Sequence, residues 1–188
     1  MSWKCLIFLC LASIISGLVG QAGTKEYLTD QEMEKMRETY DVDARLKILM
    51  EAAALRLKSA EDRLNGIESE PGDPLEFFTP ENMLDSYYQI IRSAMMNLDD
   101  AAQNPRRDNG IQIQGVRKKS PAEMLTKGLK TLKSETEKSA KQLEILKKIA
   151  EEKNKEELWN LVNSAIDVTN GAHEGAEYGL SKQPSSEK

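Results

Sequence analysis

The sequence predicts an all-α protein: an antiparallel bundle of about four helices with a short N-terminal helical segment and no disulfides. Three observations carry that expectation. Apolar residues recur at spacings of three and four, the period of one helix face, and strand-type alternation is almost absent. The composition, 39% hydrophobic, 30% charged and 5% aromatic, suits apolar stripes backed by solvated faces. Complete helix-start signals stand at Thr29, Thr79 and Ser120.

The chain opens with Lys4, an apolar run over residues 5–15 and small residues ending in Gly20-Gln21-Ala22, the order of a secretory signal peptide cut after Ala22. Residues 5–19 fall short of the roughly 20 needed to span a bilayer. Cys5 and Cys10 are the only cysteines and depart with that segment, so the mature chain has neither a disulfide nor a thiolate metal site. Of 188 residues, 166 remain, enough for one domain over residues 23–180 followed by a polar tail at 181–188. Without Lys4 the mature chain carries 25 basic and 31 acidic residues, a net charge of −6. An acidic, exported chain is a poor partner for nucleic acid, and that class is excluded. The expected location is periplasmic or secreted.

The elements follow in order. Leu28-Thr29-Asp30-Gln31-Glu32-Met33 combines a capping box with a hydrophobic staple and starts the N-terminal segment. Asp41 marks a joint, because Met33, Met36 and Tyr40 lie out of phase with the seam that follows, and Asp41 is itself a good cap. That seam is Val42, Leu46, Leu49, Ala53, Leu57, Ala60 and Leu64. A weaker second stripe, Ala44, Ile48, Ala52 and Leu55, lies on the far side, to be covered by the N-terminal segment or by a second subunit. Asn65-Gly66 and Pro71-Gly72-Asp73-Pro74 end the helix and force a loop. Thr79-Pro80 starts the next helix, with Leu84, Tyr87 or Tyr88, Ile91, Met95, Leu98 and Ala102 as its face, and Pro105 ends it.

Ser120-Pro121-Ala122-Glu123 begins a third long helix, whose seam runs from Leu125 through Leu143 to Ala150. A turn is expected near residues 152–154, with Asn154 capping a last helix that presents Leu158, Val162, Ala165, Ile166 and Val168. The alternative is one continuous helix over residues 121–169. Gly171, Gly175 and Gly179 are expected to fray its end.

The order of the signal segment, Thr29-Asp30-Gln31-Glu32, Asp43-Ala44-Arg45-Leu46-Lys47 and Ala165-Ile166-Asp167-Val168-Thr169 resembles a group of small uncharacterised exported bacterial helical proteins. The resemblance implies export and a helical fold; it implies no activity, cofactor or site residue.

Candidate chemistry is sparse. His173 with Glu177 four residues on resembles half a metal site, yet di-iron bundles need Glu-x-x-His and position 170 is Asn. Met33 with Met36, and Met95 with Met96, have a spacing that exported copper carriers use, although helix-facing Met is usually core filler. Asp85, Asp99, Asp100 and Asp167 read as solvated charges, and no carboxylate pair stands out as buried. There is no Ser-His-Asp order, Gly-rich phosphate loop or haem Cys pair. The most unusual local feature is the 15-residue connection 105–119, with Arg106, Arg107, Arg117, Lys118 and Lys119 at its ends, which could contact an anionic envelope surface. The functional expectation is therefore a non-catalytic protein-interaction or scaffolding module without cofactor or metal, monomer or homodimer, its protein partner unknown. The alternative is a copper or small-ligand carrier using Met, Glu and His side chains.

Overall fold

The computed structural model describes residues 27–104 and 120–182. Five helices follow one another: α1 (Asp30–Glu38), α2 (Val42–Leu64), α3 (Pro80–Gln103), α4 (Pro121–Glu152) and α5 (Glu156–Lys182). The all-α expectation and the short N-terminal segment are both present.

Three of the starts use the side chains that the sequence singles out. Thr29 Oγ1 accepts the Glu32 amide while Glu32 Oε2 accepts the Thr29 amide, and Ser120 and Glu123 repeat the arrangement at α4. Thr79 Oγ1 accepts the Asn82 amide ahead of Pro80. The joint also lies where phase demands it. Residues 39–41 leave the helix, Asp41 Oδ1 accepts the Asp43 amide at 2.8 Å, and α2 starts again on a new face.

Two helix ends share one geometry. Gly66 at φ +79° lets its own amide reach Arg63 O while the Ile67 amide reaches Asp62 O. Asn154 at φ +51° does the same after α4, with Asn154 N to Glu151 O and Lys155 N to Ala150 O. The expected turn is there, but Asn154 closes α4 instead of capping α5. It takes a left-handed backbone that Asn tolerates, and α5 starts without it, from Lys155 O accepting the Trp159 amide.

A second expectation is overturned at the other end of α5. Gly171, Gly175 and Gly179 do not fray the helix, which runs on to Lys182 and takes in Ser181, the first residue of the expected tail. Packing decides it: Ala172 and Ala176 are buried, and a Cβ on Gly179 would lie 3.0 Å from the Leu129 methyls. Gly128 makes a similar close approach, with Leu98 Cδ2 only 2.8 Å from where its Cβ would stand.

The long helices form a four-cornered bundle in the order α2, α3, α5, α4, with α3 and α4 touching less across one diagonal. α2–α3 and α4–α5 are antiparallel hairpins closed at one end by the 65–79 connection and the 153–155 turn. The hairpins lie side by side, so that α2 and α4 run parallel: Asp43 meets Lys127 near both starts, and Glu61 meets Gln142 farther along. The core includes Leu46, Leu57, Met83, Ile91, Leu143 and Val162, each fully buried or nearly so. The alanines at 53, 60, 94, 150, 165 and 172 are equally enclosed and let the helices approach closely.

Candidate functional site

The basic residues Arg106, Arg107, Arg117, Lys118 and Lys119 lie outside the described residues, as do the signal segment and residues 183–188. The second stripe of α2 is divided. Ala52 is buried, Ala44 and Ile48 are half-buried, and Leu55 is 45% exposed. The copper spacing does not form a separate cluster, since Met36 and Met95 pack against the core and Met96 is exposed. Among the described residues no group of three His, Cys, Asp or Glu stands close enough to hold a metal ion.

The structure adds two buried ion pairs that the sequence reading lacks. Arg56, on the flank of the α2 seam, is fully buried. Its Nη1 and Nη2 donate to Glu32 Oε1 and Oε2 at 2.7 and 2.6 Å, and Nη2 also donates to Tyr27 O. Burial acts to raise the Glu32 carboxyl pKa, but hydrogen bonds from Arg56 and Thr29 outweigh it and hold the group below its ordinary value.

Asp43, 4% exposed, is the second case. Lys127 Nζ lies 2.6 Å from its Oδ2 and Lys47 Nζ 3.5 Å, while the Thr131 hydroxyl approaches Oδ1. Burial again pushes upward, and the two lysines bring the pKa below the usual carboxylate value. Asp85, Asp99, Asp100 and Asp167 are exposed, as expected, while Asp43 and Glu32 are enclosed carboxylates that do not stand out in the sequence. Each of those two gains one cation from another helix, Arg56 for Glu32 and Lys127 for Asp43, which spacing along one helix cannot display.

A hydroxyl layer crosses the middle of the bundle. The Thr169 hydroxyl donates to Ala165 O, so the Tyr87 hydroxyl is the donor in its 2.7 Å bond to Thr169 Oγ1. Burial raises the Tyr87 pKa, with Thr169 and Ser139 opposing it. On the α4–α5 side the Thr136 hydroxyl donates to Leu132 O and lies 3.2 Å from His173 Nδ1. His173 Nε2 then faces Glu177 at 3.7 Å, and Lys133 reaches the same Glu177 oxygen at 2.7 Å. His173 is thus a packed member of the α4–α5 seam.

Two grooves are notable among the described residues. One, of about 510 Å³ between α2 and α4, has Met50 and Ala54 among its walls and carries Lys47, Lys127 and Lys130 with Glu51 and Glu135. The other, about 480 Å³, lies between the Tyr27 segment, α2 and α3 and is lined by Arg45, Gln89, Arg92, Ser93, Met96 and Asn97 together with Tyr27 and Asp100. Its hydroxyls and amides are partly engaged: Tyr27 donates to Ser93 Oγ at 3.3 Å, and Asn97 Nδ2 donates to Ser93 O at 2.7 Å.

The loop that closes the first hairpin is the remaining feature of note. Leu75 is 1% exposed and plugs the core, its amide donating to Asp73 Oδ1. Arg63 Nη2 donates to the carbonyls of Leu75 and Glu76. On this tethered segment Phe77 is 89% exposed and Ile67, earlier in the same connection, 57%.

Some of this left a trace in the sequence. Arg56 has Ala52, Ala53 and Ala60 one turn away on either side, small neighbours that leave room for a guanidinium to lie down on the core. No trace marks Phe77, whose exposure depends on how the loop is tied. The chain matches no known protein family, no curated protein and no solved structure.

Proposed function

We propose that this chain is an exported, non-catalytic interaction module that meets a protein partner through the loop end of its first hairpin. The observation that carries the reading is Phe77, 89% exposed on a connection whose neighbours Leu75 and Arg63 fix it to the bundle. A large aromatic held out in water, on backbone already ordered, is the kind of anchor that binding interfaces use, because little further freedom is lost when a partner covers it. Ile67 extends the apolar surface on the same connection. Arg56 with Glu32, and Tyr87 with Thr169, are by contrast interior groups engaged with one another.

Export is supported by Lys4, the apolar run and Gly20-Gln21-Ala22. No helix among the described residues is long and apolar enough to cross a membrane. The test is site-specific photo-cross-linking from position 77 in the native envelope. A discrete adduct that disappears when unlabelled mature protein competes is the expected result; no adduct from position 77, or one equally strong from the exposed position 148 on α4, overturns the reading.

A further inference from the structure

We propose that the groove between the Tyr27 segment, α2 and α3 is a binding site for a small organic monocarboxylate, gripped by Arg45 and Arg92. This inference is independent of the Phe77 face. Arg45 is half-buried, and among the described residues its guanidinium has neither a hydrogen bond nor an ion pair; its Nε is wholly buried without a partner. Arg56 shares the unpartnered buried Nε, but its two Nη groups are held by Glu32, and Arg63 donates to the carbonyls of Leu75 and Glu76; Arg45 has no such anchor among the described residues. Folded proteins seldom leave a buried donor on a permanent charge unmatched, because removing it from water without a replacement acceptor is costly. An acceptor from outside the described chain is the simplest match.

Arg92 stands on the same groove, from α3, with its guanidinium 5.9 Å from the centre of the Tyr88 ring and no hydrogen bond among the described residues. Stacking on a ring leaves the in-plane N–H groups of a guanidinium available to an anion. The two arginines bring two positive charges to the lining, and a planar carboxylate matches the fork of a guanidinium. Gln89 and Asn97 add amide groups for a polar substituent. At about 480 Å³ the groove has room for an organic body attached to the carboxylate. The Tyr27 ring and the flexible Met96 thioether offer that body an apolar wall.

The mature protein is titrated with benzoate, and with benzamide as a neutral isostere, by calorimetry and by amide chemical shifts. Benzoate is expected to saturate and to shift amides of residues 89–97, while benzamide does not. Arg45→Gln and Arg92→Gln should each weaken benzoate by about tenfold or more, the loss of one charged hydrogen-bonding group. Arg45→Lys should recover part of the affinity, since it restores charge without the planar fork. Lys130→Gln, on the separate α2–α4 groove, should change nothing. Arg92 lies at the surface, so Arg92→Gln serves as the second variant if Arg45→Gln fails to fold. The proposal is overturned if benzoate shows no saturation up to about 10 mM, or if benzamide binds equally. Equal weakening by Lys130→Gln also overturns it, because the attraction is then diffuse charge and not this groove.

Discussion

Arg56 and Glu32, 24 residues apart, meet as a two-pronged pair, guanidinium to carboxylate at 2.7 and 2.6 Å, with the arginine wholly enclosed. Glu32 also completes the cap of α1, so one carboxylate serves both a helix start and the docking of that helix on α2. Removing one member strands the other. Glu32→Gln, which keeps an acceptor for the cap, is expected to lower the unfolding free energy by about 3 kcal/mol in urea titrations. The double variant Glu32→Gln with Arg56→Met should be clearly more stable than the single one, since no buried charge is then left alone. A single-variant loss below about 0.5 kcal/mol would place the pair among surface bridges instead.

Acid should act through the same carboxyls. Burial opposes ionisation in Glu32 and Asp43, but Arg56 and Lys127 prevail, so both titrate lower in the folded chain than in the unfolded one. Their stabilisation is therefore complete above the ordinary carboxylate pKa of about 4 and is lost as the pH falls through their folded values. Melting temperatures from about pH 6 down to about pH 2.5 should drop steeply for the wild type, whereas Glu32→Gln with Asp43→Asn should start lower and decline less. Parallel curves would show that other groups govern the acid limb.

The glycines of α4 and α5 should separate into two kinds. A Cβ on Gly171 or Gly175 meets nothing within 4 Å, so Gly→Ala there should stabilise the helix by about 0.5 to 1 kcal/mol per site. Gly128→Ala brings a methyl to 2.8 Å from the buried Leu98 and should be the least favourable of the three. Thermal melts of the single variants test the order.

Tyr87→Phe removes the hydroxyl that donates to Thr169 and should destabilise by about 1 kcal/mol. Phe77→Ser, at a side chain that touches little, should leave stability within about 0.5 kcal/mol. A comparable loss in both would mean that Phe77 packs on the bundle after all.

If the chain is exported as proposed, the protein recovered from the native envelope begins at Gly23, and its intact mass lacks residues 1–22. A mass that includes Met1 would reject that cleavage.

Helix starts were legible because a cap is a local device: Thr29, Asp41, Thr79 and Ser120 each act on an amide two or three residues away. The joint at Asp41 was legible as well, from the phase of Met33 and Met36 against Leu46. What did not show were features decided by a neighbour distant in sequence. Spacing along α2 does not show that Arg56 pairs with Glu32, 24 residues away. Gly179 reads as a breaker until Leu129 fills the space it leaves, and Asn154 reads equally well as the start of one helix or the end of another. The groove at Arg45 is of the same kind, since its walls come from three separate stretches of chain.

The hydroxyl layer bears on uniqueness more than on strength. Seams of Leu and Ala repeat nearly every turn, so sliding one helix past another by one turn, about 5.4 Å, would still bury apolar surface against apolar surface. Tyr87 opposite Thr169, and Thr136 opposite His173, have partners in only one such alignment. A slip would part the buried Tyr87 hydroxyl from Thr169, while the threonines keep their own helix carbonyls, so Tyr87 selects one vernier setting for α3 against α5 among several of similar apolar fit.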